Sequence, residues 1–332
     1  MNKIMKIKID DLRELIVKIL SSKNYSVQEA EKIAEVLLYA EFSGKNTQGV
    51  LKLTGTEPAQ NIKPEYPAKI IKETKASALV DGGKSAGSLS AQVAVDVAIR
   101  IGKENGFSIV GLNNTYSSIG AIGFYAKKIA DQSLIGIVMA NCPRSVALAD
   151  ALELVYGTNP MAFSFPTNES PIVFDMSTAA ITWYGLVRAK ALGQKLPENV
   201  AIDKNGNVTT DPEAAMDGAI LPAGNSHKGA GLAMVVELLA GALTGAAFVF
   251  DKGDKPDDWG TIFIAINPDL LIGTEQFKNN SSELVKKVKS KKTKSGKVPH
   301  IPGYDTASEV EQLVKDGEIE IEDAILQQLK EV

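Results

Sequence analysis

The chain has 332 residues, 44% hydrophobic and 23% charged, with a formal net charge of −4, the profile of a soluble protein with one large or two interlocked domains. A net negative charge and 6% aromatics with no basic patch among them argue against nucleic acid or a membrane as the main partner. One cysteine, Cys142, and two histidines, His227 and His300, exclude an internal disulfide framework and a Cys/His zinc cluster, and with an N-terminus interrupted by Lys6 and Lys8 they lead us to expect a cytoplasmic protein.

Asp10 to Ser43 reads as two amphipathic helices, the second opened by Ser26 as N-cap with Glu29 at the capping-box position. Between Gly44 and Gly49, Lys45, Asn46, Thr47 and Gln48 form a polar loop by composition, and Pro58, Pro64 and Pro67 mark a linker. From Ile70 onward short apolar runs alternate with longer amphipathic ones. SALVDG, FSIVGLNN and LIGIVMANC are predicted strands, and SLSAQVAVDVAIRIGKENG and IGFYAKKIADQ are predicted helices. Such alternation predicts α/β architecture with a covered sheet. No strand is followed by GxGxxG, and the Gly82–Gly87 run lacks P-loop spacing, so a dinucleotide would be held without the usual fingerprint.

Segments at strand ends line the ligand crevice of α/β sheets, which singles out Asn113 to Gly123. Tyr156 to Pro166 reads as a turn and a strand, and Phe174 to Ala180 as a second strand ending on Asp175, Ser177 and Thr178. Ser177 or Thr178 also fits an N-cap for the next helix, and Asp175 alone fits a capping or turn role better than catalysis. Lys195 to Gly224, with Asn205-Gly206 and Asp211-Pro212, reads as a long surface excursion with a small hairpin. Asn225 to Gly245 then offers two readings. With a helix starting near Leu232, Ser226, His227 and Lys228 before it form an anion site; alternatively Gly229 and Gly231 serve only turn geometry and close packing. Thr261 to Pro268 is a strand, Leu284 to Lys297 a basic solvated face, and the tail two short helices broken at Gly317.

Taken together, GTNPMAFSFP, DMSTAA, the KLPENVAIDKNGNVTTDPEAA excursion and NSHKGAGLAMVVELLAGALTGAAF resemble the malate/L-lactate dehydrogenase family that lacks a Rossmann fold. That family includes malate, sulfolactate and ureidoglycolate dehydrogenases, diketogulonate reductase and reductases of cyclic imino acids. The resemblance covers nearly the whole chain. It implies a homodimer of an unusual α/β fold with a mixed sheet and an N-terminal helical region, binding NADH or NADPH and a small carboxylate. The expected organisation is a helical region over 1–68, an α/β core over 69–283, and a basic segment with C-terminal helices over 284–332 that packs back on the N-terminal region. It further implies that His227, Lys228 and Gly229 contact the cofactor, together with Gly120, Pro143, Ser145, Thr158, Ser177 and Thr178.

Departures from the family pattern bear on mechanism. Where the family carries Asp-Ser-His-Gly-Val-x-Arg, this chain has Asn46, Thr47, Gln48, Gly49, Val50, Leu51 and Lys52. Where it carries Ser-Asn-His-Phe-Gly, this chain reads Tyr116 to Gly120, so Gln48 and Ser118 replace histidines and Lys52 replaces an arginine. Ketone reduction needs a proton donor, and neither Gln48 nor Ser118 has a matched pKa. A protonated imine already carries its proton, so the expected substrate is a small 2-imino or 2-oxo carboxylate, with imines favoured. Lys52 would hold its carboxylate, Thr47, Gln48 and Ser118 would position it, and Asp175 would stabilise its nitrogen. The alternatives are a 2-hydroxy-acid dehydrogenase with Lys45 or Tyr116 as a substitute acid, and a catalytically lapsed nucleotide-binding dimer. A one-residue slip between Asn114 and Gly120 would move the catalytic serine to Ser117.

Overall fold

The computed structural model describes residues 3–55, 62, 64–148, 153–249 and 258–332; Pro58 of the expected linker lies outside them. Strand β1 (Ile4–Lys8) leads into helices α1 (Ile9–Ser22) and α2 (Val27–Phe42). The capping box forms as expected: Glu29 N–H donates to Ser26 Oγ at 3.3 Å, and Ser26 N–H donates to the Glu29 carboxylate at 2.8 Å. Two short 3₁₀ turns follow, Asn46–Gln48 and Val50–Leu53. Then come β2 (Lys69–Glu73), β3 (Ser77–Ser85), α3 (Gly87–Asn105), β4 (Phe107–Thr115), α4 (Gly123–Ala130) and β5 (Ile135–Ala140). The middle of the chain contributes β6 (Val146–Ala147), β7 (Leu154–Tyr156), β8 (Met161–Phe165), β9 (Ile172–Met176), α5 (Trp183–Ala191), β10 (Ala201–Ile202), α6 (Pro212–Asp217) and β11 (Ala219–Ile220). The last part holds α7 (His227–Val236), a wide π turn over Glu237–Ala242, β12 (Thr261–Ile266), α8 (Thr274–Lys289), α9 (Tyr304–Asp316), β13 (Glu318–Glu322) and α10 (Asp323–Glu331).

Seven strands form the main sheet in the order β2-β3-β4-β12-β5-β8-β9. Only β3 and β4 pair in parallel; β12 lies antiparallel between β4 and β5, with Phe263 opposite Val110 and Val138. This is a mixed sheet, and a strand from late in the chain occupies its centre. TIFIAI suits that place because a strand covered on both faces reads as a continuous apolar run. Phe263 packs with α3 and α4 on one face, and Ile262 packs with Val236 and Ala240 on the other. A second sheet, β10-β11-β6-β7, is covered by α5 and α6.

Several expectations are corrected. Lys195 to Gly224 is no mere surface excursion, because Ala201, Ile202, Ala215, Ala219 and Ile220 are buried and build the second sheet and its core. Its hairpin does form, with Asp203 N–H donating to Asn207 O at 2.8 Å. Neither Ser177 nor Thr178 caps α5; Thr182 does, accepting the Gly185 N–H at 3.0 Å. Beyond Gly317, which ends α9 at φ 71°, the chain forms a strand and then a helix. EIEIE alternates with period two, buries Ile319 and Ile321, and pairs antiparallel with β1. The basic run starts within α8, so the break expected at 283/284 falls inside a helix. Among the described residues, no helix is long and apolar enough to cross a membrane.

Candidate active site

Sheet order decides where the site lies. β4, β5 and β9 run in the same direction, so the residues after Thr115, Ala140 and Met176 emerge at one edge. β8 and β12 run the opposite way, which brings the residues before them, Thr158–Pro160 and Asp258–Trp259, to that same edge. With the 45–52 turns and the start of α5, these segments enclose a cleft of about 680 Å³. Its size is that of a ligand-binding cavity.

Thr47, Gln48, Lys52, Ser118 and Asp175 all line this cleft, as do Gly120, Pro143, Ser145, Thr158 and Ser177. Lys52 is 4% exposed, and its Nζ stands 4.5 Å from the centre of the Tyr184 ring. That contact places the charge under an aromatic face inside the cleft wall. Asp175 Oδ2 accepts the Gly123 N–H at 3.0 Å, at the first residue of α4, and lies 3.3 Å from Lys45 Nζ. A capping role is therefore present, filled from a distant strand. Ser118 faces the cleft, whereas Ser117 is 1% exposed and accepts the Gly87 N–H at 3.0 Å at the start of α3. Ser118 Oγ also accepts the Gly120 N–H at 3.1 Å, so each serine holds a backbone N–H and only Ser118 lines the cleft.

Four expected cofactor residues fall outside the cleft lining. Thr178 is buried, with Oγ1 and N–H both donating to Thr158 O at 3.2 and 3.1 Å, which ties β9 to the Thr158 turn. His227 and Lys228 are exposed on the first turn of α7, capped by Ser226. The helix thus begins at His227 rather than Leu232, and Gly229 and Gly231 lie within it. Gly224 carries the left-handed turn at φ 65°, while Gly229 is small because an added Cβ would come within 2.4 Å of Ala223 O.

Two buried carboxylates escaped the sequence reading. Glu41 accepts the Val50 N–H at 2.7 Å and the Asn46 side-chain amide at 2.9 Å, bracing both ends of the turn that carries Thr47 and Gln48. Burial pushes its pKa up to about 7, against the lowering effect of those hydrogen bonds and the Arg188 charge. Glu237 lines the cleft from the π turn and accepts from Asn159 Nδ2 at 2.8 Å and Val249 N–H at 3.2 Å; burial raises its pKa. Each had a visible signal, a lone acid on an apolar helix face: Leu37 with Glu41, and Glu237 within AMVVELL. Burial also pushes the Cys142 thiol in the cleft wall up to about 11.

Comparison with known proteins agrees with this architecture. The family model described as malate/L-lactate dehydrogenase matches residues 7–330. The chain is 35% identical to a malate/(S)-sulfolactate dehydrogenase of Methanothermus fervidus, over 97% of this chain and 96% of that protein. It is 31% identical to an NAD(+)-dependent ureidoglycolate dehydrogenase of Escherichia coli O157:H7, over 98% and 95%. The solved structure of a delta1-piperideine-2-carboxylate reductase from Pseudomonas syringae pvar. tomato superposes with a TM-score of 0.82 at 28% identity, covering 98% of this chain and 99% of that one. The chain belongs to the malate/L-lactate dehydrogenase family of oxidoreductases.

Proposed function

We propose that the chain reduces a small 2-imino or 2-oxo carboxylate with NADH or NADPH, and that C=N substrates are favoured. The observation that carries this is the convergence of Lys52, Thr47, Gln48, Ser118 and Asp175 on one cleft that no histidine lines. Named relatives act on hydroxy acids and, in one case, on a cyclic imino acid, which fits a carboxylate beside the reacting carbon.

The residues present fit a nicotinamide dinucleotide. Pro143, Leu154, Phe248 and Trp259 offer apolar faces for flat rings, and Arg144 and Ser145 offer donors for oxyanions. Bound there, the reduced nicotinamide supplies a hydride. Lys52 holds the substrate carboxylate, and Thr47, Gln48 and Ser118 fix the C=X group by hydrogen bonding. Asp175 already serves Gly123 and Lys45, so a cationic substrate nitrogen shares it with them.

A second reading, a 2-hydroxy-acid dehydrogenase with a substitute acid, is favoured by one contact: Lys45 lines the cleft and pairs with Asp175. Tyr116 is exposed and does not line it. We further propose a homodimer formed through the exposed apolar face of α7 and the π turn, where Leu232, Met234, Val235, Leu238 and Leu243 are 37–60% exposed.

The test is oxidation of NADH and of NADPH, separately, against a pool of 2-oxo acids and a matched pool of cyclic 2-imino acids. Turnover of imines alone supports the favoured reading. Turnover of 2-oxo acids supports the second. Tight nucleotide binding with no turnover of either pool would indicate a lapsed scaffold.

A further inference from the structure

We propose that Lys45 is the proton donor of this site, standing in for the imidazoles that the cleft lacks; the assignment rests on the reductase reading above. Both histidines of the chain lie elsewhere: His227 is exposed on α7, and His300 is beside Asp305. Among the described cleft residues, few side chains hold a proton they can give to a substrate. Cys142 is a half-buried thiol whose pKa desolvation raises, and Lys52 is enclosed beneath the Tyr184 ring, where it suits a carboxylate. Lys45 differs from both. Its side chain is 33% exposed within the cleft, on the same turn as Gln48, whose N–H donates to Lys45 O at 2.7 Å. Lys45 and Gln48 both line the cleft, so the ammonium group enters it beside the Gln48 amide.

The geometry holds that ammonium group in place. Nζ donates to Asp175 O at 3.0 Å and lies 3.3 Å from Asp175 Oδ2, and Asp175 is itself fixed by the Gly123 N–H at 3.0 Å. An ammonium has three N–H donors. One is donated to Asp175 O, the carboxylate Oδ2 makes an ion-pair contact, and no other described residue accepts from Nζ. The other charged groups lining the cleft are Lys52, Arg144, Glu237 and Asp258.

The step balances for either substrate. Hydride adds to the carbon of C=X, the π pair moves onto X, and X takes the Lys45 proton, where X is oxygen or a neutral imine nitrogen. The product is CH–OH or CH–NH, and the neutral amine left on Lys45 regains a proton from water.

The test compares the parent with Lys45→Ala and Lys45→Arg, using both substrate pools, with NADH and NADPH binding followed by nicotinamide fluorescence. Arginine keeps the pairing with Asp175 but is too basic to give up its proton, so it separates proton donation from an ion-pair role. We expect both variants to bind nucleotide as the parent does and to lose about 100-fold or more in turnover, and ethylamine to restore Lys45→Ala but not Lys45→Arg. Turnover by Lys45→Arg near the parent's, or by Lys45→Ala within about threefold, would overturn the assignment while leaving the reductase reading intact. A loss in Lys45→Ala that ethylamine does not relieve overturns it as well. A parent that turns over neither pool overturns both.

Discussion

Glu41 accepts the Val50 N–H at 2.7 Å, and the same carboxylate lies against Gly49, where an added Cβ would come within 1.9 Å of Oε1. The turn bearing Thr47, Gln48 and Lys52 is thus wrapped around a buried acid. Burial raises that acid from 4.5 to about 7, so the folded chain keeps a proton that the unfolded chain loses. The sign follows: Glu41 costs nothing below about pH 4.5, and its contribution becomes increasingly unfavourable as pH rises towards 7. The stability gap between Glu41→Gln and the parent should therefore widen in the variant's favour across that window, by on the order of 3 kcal/mol. Urea melts at several pH values check it; a gap that does not change with pH would contradict the assignment.

Gly49→Ala should push the Glu41 carboxylate or the turn aside. Overpacking of this kind costs about 1–3 kcal/mol, and because Lys52 follows on the next turn, KM for the carboxylate substrate should rise with it. Thermal melts paired with steady-state kinetics would reveal a stability loss without a KM change, which would separate the turn from the site.

Lys52→Met keeps most of the buried volume and removes the charge beside Tyr184. A charge-assisted hydrogen bond contributes about 1.5–3 kcal/mol, so KM should rise roughly 10- to 100-fold with a smaller effect on kcat. An unchanged KM would remove Lys52 from substrate binding.

Ser117 and Ser118 should separate in turnover. Ser117→Ala removes the acceptor for the Gly87 N–H at the start of α3 and should cost about 1 kcal/mol of stability. Ser118→Ala removes the acceptor for the Gly120 N–H at 3.1 Å, a comparable structural loss, and should in addition lower turnover. Equal effects on both properties would mean that the two serines share one role.

Leu238→Glu combined with Leu243→Glu places two charges on the exposed apolar face of the π turn. Sedimentation of the parent as a dimer and of the variant as a monomer is the expected outcome. A monomeric parent would end the proposal.

Local chemistry was readable from residues alone. The capping box at Ser26 and Glu29, the strands around Phe107, Ile135 and Thr261, the hairpin at Asn205-Gly206 and the strand-end position of Asp175 follow from periodicity and turn preferences, which act over a few residues. That Thr47, Gln48, Lys52, Ser118 and Asp175 line one cleft was expected from the family resemblance, not from the residues by themselves.

Tertiary structure alone decided the rest. EIEIE became a strand because β1, more than 300 residues earlier, offers an edge to pair with. Helix α7 began at His227 because Ser226 caps it and Ala223 packs against Gly229, and no single-residue preference of glycine reports that neighbour. The partners of Glu41, Glu237 and Lys45 were hidden for the same reason. A buried charge is tolerated only where the fold brings donors or an opposite charge to it, and Asp175 meets Lys45 across 130 residues of chain. Sequence determined which groups this protein possesses; the placing of β12 between β4 and β5, with the strand ends gathered at one edge, decided which of them face one another.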